Sequence, residues 1–239
     1  MVINMKKKNC FISGATGGLG KCIAKQFAKN NYNLFLTSTK PSSLKKLKKE
    51  LMSVNQNIDI FYEAGDLTRI SDLEKIAKSA TKKFNPLDIL INNAGVFPVK
   101  YIEKTSLSDY QNCFDINVRA PFYFSKIFSA GMKKKKWGRI VNIASSSAYG
   151  GYAKTSIYCA SKHALLGLSR SMLQEFKKYN IRTYSVAPGS IKTPMGKKVE
   201  NQNFETFIDP EEIAKFIMNL ISFDNEMISD EVRINRFNL

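Results

Sequence analysis

Along the chain, short apolar runs alternate with longer stretches in which apolar residues recur every three or four positions. The first pattern marks buried strands and the second amphipathic helices. The runs Asn9–Ser13, Asn33–Thr37, Ile58–Tyr62, Asp88–Asn92, Arg139–Ile143, Arg182–Ala187 and Glu231–Ile234 predict seven strands. Between them, the spacing predicts helices over Leu19–Asn30, Pro41–Val54, Ile70–Phe84, Asp109–Met132, Ser156–Lys178 and Pro210–Ile221. In Pro41–Val54, Leu44, Leu47 and Leu51 share one face of a lysine-rich helix. Pro210 stands at a first helical turn, where its missing N–H is tolerated. Strands alternating with helices imply a parallel sheet covered on both faces. Such sheets bind ligands beyond the C-terminal ends of their strands, which is where chemistry is expected.

Length and composition narrow this picture. A chain of 239 residues suits one domain, and 44% apolar residues supply a sizeable core. No repeat, Pro-rich linker or low-complexity tract divides it. The expected organisation is a single domain over 1–239, with a cofactor half over about 8–120 and a catalytic and substrate half over about 121–239. No apolar run is long enough to span a membrane. Met1–Lys8 contains no apolar core of signal-peptide length. Cys10, Cys22, Cys113 and Cys159 form no CxxC spacing, which points to a reducing, cytoplasmic setting. With a single histidine, no metal site is expected.

The net charge of +17 raises nucleic acid, acidic membranes and phosphorylated ligands as partners. Thirty of the 37 basic residues are lysine. That skew argues against nucleic acid, for which arginine forks and interleaved aromatics are the expected tools. Residues 1–49 hold eleven lysines and no acid, whereas residues 200–239 carry a net −6. The basic block therefore has to be matched to a local site.

One site lies inside it. Ser13-Gly14-Ala15-Thr16-Gly17-Gly18-Leu19-Gly20 ends the first strand and opens the first helix. Glycines there allow a tight turn and let the backbone approach a pyrophosphate, whose charge the helix N-terminus then holds. Further on, Tyr158 and Lys162 stand four apart on a helix and share a face. An ammonium beside a phenol favours the phenolate, so this pair could exchange a proton with a substrate oxygen near neutral pH.

These residues resemble the short-chain dehydrogenase/reductase family, single-domain branch, in the manner of its 3-oxoacyl-(acyl-carrier-protein) reductases. The glycine turn is similar to the family's T-G-x-x-x-G-x-G, with Ser13 where Thr is usual. Asn92-Asn93-Ala94-Gly95 resembles its N-N-A-G, Tyr158-Cys159-Ala160-Ser161-Lys162 its Y-x-x-x-K, and Pro188-Gly189 its P-G after the sixth strand. The resemblance runs over roughly residues 8–235. It implies a Rossmann-type, doubly wound α/β sheet of about seven strands and an oxidoreductase acting on carbonyls or alcohols.

The resemblance also implies roles. Tyr158 would be the acid in reduction and the base in oxidation, and Lys162 would hold the nicotinamide ribose. Ser145, with Ser146 as the alternative, would hold the substrate oxygen. Asn117 would hold a water linking Lys162 to solvent. Gly14, Thr16, Gly17, Gly18, Leu19 and Gly20 would cradle the diphosphate, and Asp66 and Leu67 would flank the adenine. Asn93, Ala94 and Gly95 would line the adenosine and ribose. Pro188, Gly189, Ile191 and Thr193 would lie toward the nicotinamide. Family members that use NAD commonly carry an acid at the Ser38 position. Its absence favours NADP(H) over NAD(H), with Ser38, Thr39 and Lys40 receiving the 2′-phosphate. Against this, Gly17 stands where many NADP users have Arg or Lys.

Substrate-bordering candidates are Tyr149, Tyr152, Val96, Phe97 and Met195, and a short lid between Pro188 and Pro210 implies an open pocket. His163 is read as structural and Cys159 as packing. Helices 109–132 and 156–178 resemble the family's dimer face, giving a homodimer or homotetramer. The Lys133–Lys136 run is a candidate dock for an acidic acyl carrier protein, or else a solvated helix end. Competing functions are a 3-oxoacyl-carrier reductase, a sugar-precursor reductase, and a cofactor-sensing module on a reductase scaffold.

Overall fold

The computed structural model describes residues 7–237. The reading of Met1–Lys8 as lacking a signal-peptide core falls mostly outside these residues. Seven strands form one parallel sheet in the order β3-β2-β1-β4-β5-β6-β7. They are β1 (Asn9–Ser13), β2 (Asn33–Ser38), β3 (Ile60–Ala64), β4 (Ile89–Asn92), β5 (Gly138–Ile143), β6 (Ile181–Pro188) and β7 (Glu231–Ile234). The helices are α1 (Gly18–Lys29), α2 (Pro41–Val54), α3 (Ile70–Lys83), α4 (Leu107–Phe114), α5 (Ala120–Lys135), α6 (Ser156–Phe176) and α7 (Pro210–Ser222). This is the parallel, helix-covered sheet expected from the alternation, and the doubly wound α/β fold that the resemblance implies.

Side chains of each strand point alternately to two cores. Cys10 and Ile12 of β1 join Leu34, Leu36, Ile89, Ile91, Val141 and Val186 beneath α1, α2 and α7. Phe11, between them, faces the other way, with Phe35, Leu90, Phe124 and Phe128. Its ring stacks on Phe35 at 5.6 Å and meets Phe124 at 4.9 Å. The strand order reverses beside β1, whose neighbours are β2 and β4. The loops leaving β1 and β4 therefore part at the C-terminal edge and open a crevice there.

Two expected elements differ. β3 begins two residues later than the pattern suggested. Ile58 is buried but precedes the strand, because Asn33 Oδ1 accepts the Asp59 N–H at 2.9 Å and the register pairs Leu34 with Ile60. The single helix expected over 109–132 is instead α4, a π-helical turn over Asp115–Arg119, and α5. Pro121 explains the break. It has no N–H, so the ordinary helical bond to the Asn117 carbonyl cannot form. No helix among the described residues is long and apolar enough to cross a membrane.

Candidate active site

A cleft of roughly 1170 Å³ lies along the C-terminal edge of the sheet. The glycine turn forms its floor. Gly14 has φ +62°, and a Cβ there would sit 2.8 Å from Ala94 Cα. A Cβ on Gly20 would lie 2.2 Å from the Gly14 carbonyl oxygen. α1 starts without a side-chain cap and without an acid in its first turn, so its free N–H groups are available to an anion. Ser13 Oγ accepts the N–H groups of both Asn93 and Ala94 at 3.1 Å, and Asn93 Nδ2 donates to the Ser13 and Gly14 carbonyls. These bonds lock the β1 and β4 loops together. Ser13 was legible only as a motif variant; its bracket role depends on a contact 80 residues away.

The cleft brings together nearly all the cofactor candidates. Gly14, Thr16–Gly20, Ser38, Thr39, Asp66, Leu67, Asn93–Gly95, Pro188, Gly189, Ile191 and Thr193 line it, together with Ser145, Tyr158 and Lys162. Thr16 Oγ1 and Ser38 Oγ share a hydrogen bond of 2.5 Å across the turn. Asp66 accepts from the Thr68 N–H and hydroxyl, which hold its carboxyl below the ordinary range. Lys40 is the exception: it is exposed at the N-terminus of α2 and does not line the cleft. An uncapped helix start, a floor open to backbone approach and a long groove along the sheet edge fit a dinucleotide.

The end of the cleft that holds Tyr158 and Lys162 is drier. Tyr158 is 8% exposed, and Phe97 packs edge-on against its ring at 4.7 Å. Burial pushes its hydroxyl up to about 12, and the Ser145 hydroxyl opposes the shift. Lys162 is 4% exposed, and Nζ donates to the Ile143 carbonyl at 2.8 Å. Burial draws its ammonium down to about 8. Burial thus outweighs the lowering of the Tyr158 pKa that the sequence led one to expect from Lys162. Nζ lies 5.7 Å from the ring centre, and desolvation dominates both groups. Tyr158 is a neutral donor here, and Lys162 is a cation close to its titration point.

Asn117 is fully buried and does not line the cleft. Its Oδ1 accepts the Val96 N–H at 2.9 Å, and its Nδ2 donates to the Val96 carbonyl at 3.1 Å and to Ser161 Oγ at 3.0 Å. The side chain is thus occupied as a clamp on the β4 loop. Ser161 Oγ donates to the Tyr158 carbonyl at 2.7 Å and accepts from Asn117 and from the Cys113 thiol. Ser161 and Cys113 were not singled out from the sequence. Their signals were adjacency to Lys162 and an i,i−4 position relative to Asn117.

Other candidates separate. Val96, Phe97, Tyr152 and Met195 line the cleft, but Tyr149 does not. Its hydroxyl donates to Glu231, which also binds Arg170, and burial pushes the phenol up to about 12. His163 is exposed, with Nδ1 2.9 Å from the Cys159 carbonyl, consistent with a structural reading. Lys133–Lys136 ends α5, at the opposite rim of the sheet from the cleft. β5 separates them, and six residues span about 20 Å. There, Lys133 lies over the Phe176 ring at 4.8 Å and Lys135 pairs with Asp88. Among the described residues no cluster suited to a metal is found, and all four cysteines are free.

Fold and cleft together define a doubly wound α/β protein whose dinucleotide-sized cleft holds a buried tyrosine–lysine pair. The short chain dehydrogenase family model matches residues 8–203. An uncharacterised oxidoreductase of Thermotoga maritima is 34% identical over 191 residues, covering 80% of this chain and 74% of the relative. A 3-oxoacyl-(acyl-carrier-protein) reductase of Buchnera aphidicola is 31% identical, covering 95% of this chain and 94% of its own. Among solved structures, an alcohol dehydrogenase of Thermococcus sibiricus complexed with 5-hydroxy-NADP superposes with a TM-score of 0.89 at 23% identity, covering 98% of each chain. The chain belongs to the short-chain dehydrogenase family, and with it to the oxidoreductases that act on CH–OH groups.

Proposed function

We propose that the chain is an NADP(H)-dependent carbonyl reductase that runs in reverse as an alcohol dehydrogenase. The observation that carries this is the neutral Tyr158 hydroxyl beside a buried Lys162 that has no carboxylate partner among the described residues, both on the wall of a dinucleotide-sized cleft. NADP(H), when bound, supplies or accepts the hydride. Tyr158 gives its proton to the carbonyl oxygen in reduction and takes it back in oxidation. Ser145 donates a hydrogen bond to the same oxygen as charge develops there. Lys162, charged below about pH 8, favours the phenolate that Tyr158 leaves behind. Asn117 and Ser161 keep Val96 and the Tyr158 turn in place.

The 2′-phosphate end supports NADP(H) over NAD(H). Ser38 and Thr39 present hydroxyls, and α2 starts with neither an acid nor a side-chain cap. Glu63, across from Thr37 on β3, is neutralised by Lys75 at 2.8 Å. The Thermococcus neighbour's NADP analogue agrees with this. Lys40 contributes at most through the general field. Fluorescence titration tests the assignment: NADPH should bind at least tenfold more tightly than NADH, and equal affinities would refute it.

The Buchnera relative favours a second reading, reduction of 3-oxoacyl thioesters. A carrier would then dock at the rim of the cleft, since Lys133–Lys136 is a strand length away. Turnover of an acyl thioester well above that of simple ketones would select it.

A further inference from the structure

The substrate end of the cleft has an apolar wall and one charged corner. Val96, Phe97, Val99, Met195 and Val199 supply the wall. The corner is Lys154, four residues before Tyr158. It has φ +61°, a left-handed conformation that glycine adopts more easily, although Gly150 and Gly151 precede it. The loop around it is tied down. The Lys154 carbonyl accepts the Lys100 N–H at 2.8 Å, and Thr155 Oγ1 donates to the Tyr152 carbonyl at 2.9 Å. Its ammonium lies 5.2 Å from the Tyr101 ring centre and 2.6 Å from Glu200 Oε2, on the lid.

The charges lining this end are uneven. Lys154, Lys198 and Arg236 face the cleft, against Glu200 as the single acid. The other lining acid, Asp66, belongs to the adenosine end and is held by Thr68. Glu200 is a carboxylate on a flexible arm, with 57% of its side chain exposed. Half-exposed ion pairs are weak and exchange readily. Glu200 therefore stands where an incoming carboxylate would stand, and it can swing to solvent when displaced.

We propose that Lys154 is the specificity-determining residue for a substrate carboxylate, and that the substrates are keto acids with a mostly apolar body. Glu200 is the internal counter-ion that such a substrate replaces. Rejection of neutral ketones is not required; the ammonium adds preference on top of the carbonyl chemistry. The inference rests on the reductase reading above.

The test uses the full-length protein, NADPH and a matched pair, a keto acid and its ethyl ester. The wild type should prefer the acid, and added salt should erode that preference. Lys154→Met should lower the acid-to-ester ratio of kcat/KM about tenfold, and Lys154→Glu further. Glu200→Gln should lower KM for the acid by removing its competitor. An unchanged ratio in Lys154→Met overturns the inference while leaving the reductase reading intact. A Glu200→Gln variant that raises KM equally for acid and ester also overturns it, because the pair would then only fasten the lid. Absence of NADPH oxidation with either compound refutes the reductase reading itself.

Discussion

Two buried cations sit near opposite ends of β5, and they are treated differently. Arg139, near the start of the strand, is fully buried. It pairs with Asp224, donates to the Gly138 and Asn180 carbonyls at 2.8 and 3.2 Å, and lies 4.4 Å from the Trp137 ring centre. Lys162 packs against the other end. It has the Ile143 carbonyl at 2.8 Å and, among the described residues, no carboxylate. Burial lowers the pKa of both, but Asp224 opposes the shift only for Arg139. Arg139 is given several acceptors, its Nε alone lacking one, whereas Lys162 is given a single carbonyl. In the proposed mechanism, the unmet demand of Lys162 is what a ribose hydroxyl and a developing phenolate satisfy.

The contrast can be broken in steps of decreasing size. Tyr158→Phe removes the proposed proton donor. Its turnover of a carbonyl substrate should fall about a thousandfold, with NADPH affinity retained in fluorescence titration. Asp224→Ala strands Arg139; breaking a buried pair costs about 3–5 kcal/mol, which the half-exposed Asp224 reduces to about 2–3 kcal/mol in urea unfolding. Its kcat should stay within twofold of wild type, since the cleft lies at the other rim. Lys162→Met should do the reverse. It abolishes turnover, and it should gain about 2 kcal/mol of stability at pH 7 by removing a poorly compensated charge.

The sign of the pH dependence follows from the direction of the Lys162 shift. Its folded pKa lies near 8, below the 10.5 of an unperturbed lysine. Between those values the unfolded chain holds a proton that the folded chain has released, so wild-type stability gains as pH rises. The Lys162→Met advantage should therefore shrink between pH 8 and 10.5. The smallest effect belongs to Ser161→Ala, which frees the Asn117 amide and the Tyr158 carbonyl. It should lower kcat about tenfold with KM for NADPH unchanged, and Ser161→Cys should recover part of the loss.

The sequence revealed what is written locally. The glycine turn, the Tyr158–Lys162 spacing and the strand–helix alternation each occupy one short stretch, so period and motif were enough to find them. Pro121 was also visible, and it could have announced the break at Asn117. What escaped depends on burial or on contacts distant in sequence. The Tyr158 hydroxyl rises rather than falls because the surrounding wall excludes water. Asn117 clamps Val96, 21 residues away, and Lys154 meets Glu200, 46 residues away. The place of Lys133–Lys136 could be judged only once β5 had been oriented against the cleft.

The under-compensated state of Lys162 is the centre of this account, and it can be measured directly. Nuclear magnetic resonance of ¹⁵N-lysine-labelled protein, with Lys162 assigned by its disappearance in Lys162→Met, would follow that ammonium through its titration. A midpoint near 8 is predicted. A midpoint in the ordinary lysine range, about 10.4, would contradict the account.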